Sequence, residues 1–188
     1  NIEGVNALHT GIEADFLWFS TNNIEITGMA SLGDWIWQND LDNVPIFNDN
    51  EEQIGTVDLF IADLKVGDAA QTAFALGLNY EMLSGFKIGM DWNYYDNLYA
   101  QYDPTGRGDP DKKGVQPWKV PAYGLVDANV HYNFEIGNFD TSIYGNINNL
   151  FNTEYISDAD DGANNDWRTA RVYYGIGRTW VTGLRINF

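Results

Sequence analysis

Phe86-Lys87-Ile88-Gly89-Met90-Asp91-Trp92-Asn93-Tyr94-Tyr95 alternates, with Phe86, Ile88, Met90, Trp92 and Tyr94 on one side of the chain and Lys87, Gly89, Asp91, Asn93 and Tyr95 on the other. A period of two marks an extended strand with one apolar and one polar face, and nothing in the stretch has helical spacing. The same pattern returns from Val126 to Phe134, where Val126, Ala128, Val130, Tyr132 and Phe134 interleave with Asp127, Asn129, His131 and Asn133. Weaker alternation runs from Ala7 to Phe19, Ile24 to Trp35, Thr72 to Glu81, Phe139 to Phe151 and Arg178 to Phe188, which predicts seven strands in all.

The connections sort by length. Ser20-Thr21-Asn22-Asn23, Leu83-Ser84-Gly85 and Glu135-Ile136-Gly137-Asn138 are short polar turns, and between them fall long excursions over about Ile36 to Gln71, Asp96 to Ala122 and Asn152 to Gly177. The excursions hold all five prolines and most of the acidic residues. Strict alternation of short and long connections is what an outer-membrane barrel shows, with periplasmic turns at one rim and extracellular loops at the other. Aromatics gather at the short-turn rim: Phe16, Trp18 and Phe19 before one turn, Tyr80 and Phe86 around the next, and Tyr132, Phe134 and Phe139 around the third. Such a girdle fits the headgroup level, where a ring sits in lipid and its polar atom stays wet. The long connection before the last strand then makes that strand run from outside to inside, with Phe188 at the periplasmic rim.

Composition narrows the function classes. The 188 residues carry 27 acidic against 10 basic side chains, for a formal charge of −17, and contain no cysteine. Disulfide scaffolds, zinc knuckles and thiol nucleophiles are thereby removed, and a surface this acidic repels a phosphate backbone, so no nucleic-acid partner is expected. No stretch of 18 apolar residues exists for a transmembrane helix. A barrel strand hides from that test because its two faces average to a moderate hydropathy.

The end of the chain, Trp180-Val181-Thr182-Gly183-Leu184-Arg185-Ile186-Asn187-Phe188, puts Leu184, Ile186 and a terminal Phe188 on one face. Upstream lie Tyr123-Gly124-Leu125-Val126-Asp127-Ala128-Asn129-Val130, Asn146-Ile147-Asn148-Asn149-Leu150-Phe151-Asn152-Thr153-Glu154-Tyr155 and Gly177-Arg178-Thr179-Trp180. From Tyr123 onward the chain resembles the C-terminal segment of TonB-dependent receptors, with Asn-Asn-Leu-Phe-Asn-x-x-Tyr as the most recognisable signature. Gly11-Ile12-Glu13-Ala14-Asp15 is similar to the family's approach to an earlier strand. The resemblance implies an all-β, transmembrane, antiparallel up-and-down barrel of about 22 strands. Residues 1–188 would be its C-terminal portion, with the plug and earlier strands absent. It implies an active transporter of the Gram-negative outer membrane, importing a scarce nutrient with energy delivered through TonB. It implies no enzyme, no cofactor and no catalytic or metal-binding residue. The expected partners are the plug domain, the remaining barrel strands, the TonB complex, the lipid bilayer and the barrel-assembly machinery, which would read Leu184, Ile186 and Phe188. A surface lipoprotein is a further candidate partner.

Six aromatics in or beside the long connections, Trp35, Trp37, Tyr99, Tyr102, Trp118 and Trp167, are candidates for stacking on a ligand, for anchoring at the outer headgroup layer or for packing the loops together. The alternation assigns Glu13, Asp15, Asp91, Asn93, Asp127, Asn129, His131, Asn133, Asn146, Asn148 and Arg185 to the lumen. His9 and His131 fall within strand patterns and suggest no catalytic arrangement. The acidic run from Asp158 to Asp166 lacks the spacing and closing Glu of an EF-hand and reads as a solvated loop. Two other architectures fit parts of the pattern. One is a complete small barrel, structural, adhesive or lipid-processing, with an eighth strand within Ile54 to Lys65; the other is a soluble carbohydrate-binding β-sandwich.

Overall fold

Three tight hairpins and three long connections organise the sheet, and the computed structural model describes residues 4–187 of it. Its wall strands are β1 (Ala7–Thr21), β2 (Ile24–Trp37), β5 (Thr72–Leu83), β6 (Phe86–Asp96), β7 (Tyr123–Ile136), β8 (Phe139–Asn148) and β11 (Thr179–Asn187). They pair antiparallel in the order β1-β2-β5-β6-β7-β8-β11, each beside its sequence neighbour in the wall. Gly85 and Gly137 take φ of 79° and 64° at two of the hairpin turns, a region that a Cβ disfavours. All seven expected strands are present, most of them a few residues longer than the alternation alone indicates.

Register settles which side chains share a face. Trp18, Ile26, Leu78, Met90, Ala128, Ile147 and Trp180 pair successively across all seven strands, forming one apolar row. One residue further along each strand, Glu25, Asn79, Gly89, Asn129 and Asn146 form a row on the opposite face. Among the described residues nothing packs over the apolar face: Ile12 is 76%, Trp180 71% and Leu184 61% exposed. The buried apolar side chains among the described residues lie outside the wall, at Leu59, Ile61, Leu64, Leu98, Ala100, Pro117, Val120 and Ala159, Leu59 closing the hairpin strand described below.

That distribution excludes the soluble sandwich, whose apolar faces would meet in a dry core. Water would leave this apolar face strongly disfavoured, whereas lipid accommodates it. The small closed barrel is excluded as well. The apolar stretch at Ile54 belongs to β4 (Gln53–Leu59), which pairs only with β3 (Leu41–Phe47) in a hairpin outside the wall. Among the described residues β1 and β11 pair on one side only, so the sheet is an open arc. A second hairpin, β9 (Ile156–Asp160) with β10 (Arg171–Tyr174), stands in the third long connection.

The strand expected to reach Phe151 stops at Asn148 because Asn149 turns to φ 52°. Its backbone N–H donates to Asp127 Oδ1 at 2.7 Å, and its side chain exchanges hydrogen bonds with the Thr153 backbone at 2.8 and 2.9 Å. Asn152, also at positive φ, accepts from the Arg178 N–H at 2.9 Å. Tyr155 covers Gly175, where a Cβ would come within 1.9 Å of its ring, and packs on Tyr123 with ring centroids 4.4 Å apart. The Asn-Asn-Leu-Phe-Asn-x-x-Tyr signature is thus a clasp that ties the end of β8 to β7 and to the start of β11.

Candidate functional site

The three long connections fold onto one another at one end of the sheet. Phe60 N–H donates to the Arg107 carbonyl at 2.9 Å, joining the first connection to the second. Gln101 N–H donates to the Ala159 carbonyl at 2.7 Å and Asp161 N–H to the Gln101 carbonyl at 2.9 Å, joining the second to the third. At the centre Arg107 and Asp161, both with fully buried side chains, form an ion pair of 2.7 Å. Asp161 also accepts from Asn165 Nδ2 at 2.8 Å and the Asp103 N–H at 2.9 Å, and Arg107 Nη1 donates to the Val115 carbonyl at 2.5 Å. A buried pair needs this density of partners to offset its lost hydration. Apolar side chains fill the space on either side, with Leu59, Ile61 and Leu64 in one cluster and Leu98, Ala100, Val120 and Ala159 in the other.

The six aromatic candidates divide between these surroundings. Trp37 and Tyr102 meet edge to face at 5.9 Å and pack on the first cluster, where burial raises the Tyr102 hydroxyl above its ordinary pKa. Trp118 packs on the second cluster, and Tyr99 is half-buried in a backbone bridge to Lys119. Trp167 is 63% exposed beneath the Arg168 guanidinium, 4.9 Å from its ring. Trp35 lies on the polar face of the sheet and stacks on His9 at 5.0 Å. Of the six, Trp37 and Tyr102 are the pair in ring contact with each other.

The polar residues assigned to the lumen share one face. Asp91 pairs with Asp127 and Asn129 with both Gly89 and Asn146 across the ladder, while Asn133 and Arg185 both stand opposite Ser142. Leu184 and Ile186 occupy the apolar face of β11, opposite Ile143 and Thr141. Phe188 lies outside the described residues.

Charge at the connections is largely self-contained. Lys65 pairs with Asp34, Lys113 with Asp40, Lys119 with Asp96, Arg168 with Asp166 and Arg171 with Asp160. Lys112 donates to the Ala163 carbonyl. The cations brace the loops, and the acidic excess is left facing water. Asp68 is held protonated to higher pH than an ordinary carboxyl, first by burial and then by the charges of Asp158 and Asp160. Three of the four carboxylates of the Asp158 to Asp166 run, Asp160, Asp161 and Asp166, are divided among Arg171, Arg107 and Arg168, which the run's sequence did not reveal. No group of three or more His, Cys, Asp or Glu among the described residues is arranged to hold a metal. No helix among them is long and apolar enough to cross a membrane.

An open antiparallel arc with one unpacked apolar face, one polar face and long connections at one rim defines a sector of a large β-barrel wall. Solved structures show the same architecture. The chain is similar to a siderophore receptor, PiuA, from Acinetobacter baumannii, at 20% identity and a TM-score of 0.62, covering 97% of this chain and 22% of that one. It is similar to the copper transporter OprC at 16% identity and a TM-score of 0.58, covering 96% of this chain and 23% of that one. For the ferric citrate transporter FecA in its unliganded form the identity is 16%, the TM-score 0.57 and the coverage 96% and 24%. The chain therefore spans about a quarter of the length of these proteins and has the fold of a barrel sector of this class of outer-membrane receptor. No family model and no curated protein matches it.

Proposed function

We propose that the chain is a wall sector of an outer-membrane importer of the TonB-dependent kind, set in the lipid bilayer of a Gram-negative cell envelope. The apolar row crossing all seven strands while remaining unpacked is the observation that carries this reading. It requires lipid on one side, which makes the polar face lumenal and the long-connection end extracellular. The fold shared with a siderophore receptor and two metal transporters supports import as the activity of the whole protein.

In this role the sector performs no bond-making chemistry. Its apolar face seals against lipid, its polar face lines the path, and its braced loops form part of the outer surface. The plug, the remaining strands and the TonB complex supply gating and energy, and the assembly machinery inserts the barrel. The test is nutrient depletion by the source bacterium from a defined medium containing ferric siderophores, copper, ferric citrate and neutral oligosaccharides. Depletion of one compound should disappear on deleting the receptor gene and equally on deleting TonB. Depletion that survives loss of TonB would overturn active import.

A further inference from the structure

Gly11 of β1 and Gly33 of β2 stand directly opposite each other on the lumenal face, four residues in from the last pair of that hairpin, Ala7 with Trp37. With no side chain at either position, the backbone of Gly11 and the Trp35 edge that folds over Gly33 form the floor of a notch. On the same face the stacked pair His9 and Trp35 closes its upper side, and Glu13 with Ser31 closes the lower. The depression is open to solvent and holds about 440 Å³.

Both glycines are required by their surroundings. A Cβ on Gly11 would come 2.8 Å from the Leu32 carbonyl oxygen, and one on Gly33 would come 2.7 Å from Trp35 Nε1, so the indole N–H edge lies over the floor. Trp35 is fixed there by Gln71, which is 2% exposed and bonds the Trp35 backbone N–H at 2.9 Å and its carbonyl at 3.2 Å. Glu13 Oε1 accepts from Ser31 Oγ at 3.3 Å, which leaves Oε2 as a second acceptor.

We propose that this notch binds one ring of a neutral, hydroxyl-bearing ligand such as a sugar residue as it leaves the extracellular loops. The proposal rests on the importer reading. The indole face turned away from His9 is the apolar surface for ring C–H groups, while the indole N–H donates and the Glu13 carboxylate accepts; a hydroxyl satisfies both because it can donate and accept. An anion meets the Glu13 charge with only His9 nearby to offset it. A cation satisfies Glu13 but cannot accept from the indole N–H. The position favours a ligand over a plug segment, since the buried Gln71 that holds Trp35 also donates from its backbone N–H to the Asn97 carbonyl and from its side chain to the Val66 carbonyl, putting the notch immediately beneath the loop assembly.

The test uses the full receptor, purified in detergent with its plug, and equilibrium titration with maltotriose and with glucuronate. Maltotriose should bind, glucuronate should not, and Trp35→Ala should weaken maltotriose at least about tenfold, the loss expected when a hydrogen-bonding and stacking partner is removed. Glu13→Gln keeps the shape of the lower wall; it should weaken maltotriose severalfold and narrow the discrimination against glucuronate. Retention of heat-modifiable migration on gels shows that each variant is folded. In whole cells Ser31→Cys should be labelled by a membrane-impermeant maleimide and protected by maltotriose. Absence of maltotriose binding, equal binding by wild type and both variants, or a Ser31→Cys receptor that stays unlabelled because the plug covers the thiol would overturn the notch. TonB-dependent depletion of some other nutrient would in that case leave the importer reading standing.

Discussion

Arg107 and Asp161 join the second and third long connections through one ion pair, and both side chains are fully buried. Removing one partner strands the other charge in a site with little water, at a cost of about 3–5 kcal/mol. Asp161→Asn should therefore loosen the second and third loops together. Limited proteolysis should cut within residues 97–122 and 149–178 faster than in the wild type, while the wall keeps its heat-modifiable gel shift. Asp68 works in the opposite sense. Its carboxyl is raised by burial and by Asp158 and Asp160, so the folded loops favour its protonated form and lose stability as pH rises through that raised pKa. Asp68→Asn, which imitates the protonated carboxyl, should slow loop proteolysis at neutral pH. The advantage should shrink as pH falls below the raised pKa, where the wild-type carboxyl is itself neutral. Neither effect was legible in the sequence. Arg107 sits in an irregular stretch with no periodicity, and its partner is 54 residues away, so only the folded loops bring the charges together.

At the scale of elements, the wall strands were legible because their two solvents differ, and a period of two records the difference residue by residue. The hairpins outside the wall were not. β3 and β4 leave Ile46, Phe47 and Ile54 exposed without sorting them onto one face, and the apolar stretch from Ile54 onward offered an eighth wall strand only by breaking the alternation of short and long connections. β9 and β10 were hidden by an acidic run whose partners Arg107 and Arg171 lie outside it, Arg107 in another connection altogether. Within the wall, Met90 lies on the apolar row and Asn93 on the polar face of the same strand. Arginine at a lipid-facing midplane position costs about 2–4 kcal/mol, and at a lumenal position it meets water. Met90→Arg should accordingly reduce the yield of assembled receptor in outer-membrane fractions, whereas Asn93→Arg should leave the yield near wild type. Equal losses would mean that the faces are assigned wrongly.

For the molecule as a whole, the open edges of the arc decide what it can do alone. β1 and β11 each pair on one side, which leaves two rows of backbone N–H and C=O groups without ladder partners among the described residues. In hydrocarbon each such group costs several kcal/mol, so a stable wall needs both edges closed by further strands. In the sector reading proposed above such strands would lie at either edge, and the shared fold covers about a quarter of each solved structure. Residues 1–188 refolded alone into detergent should therefore give polydisperse, heat-labile assemblies with no closed-barrel gel shift. In the full receptor, deletion of Phe188 should lower the assembled yield, because that residue continues the apolar row of Leu184 and Ile186 in the sequence pattern. Ile186→Asp should do the same by placing a charge on that row, while Asn187→Asp, on the other face, should not. A monodisperse, heat-resistant barrel formed by the isolated chain would require β1 and β11 to close on each other, and that outcome would sink the sector reading.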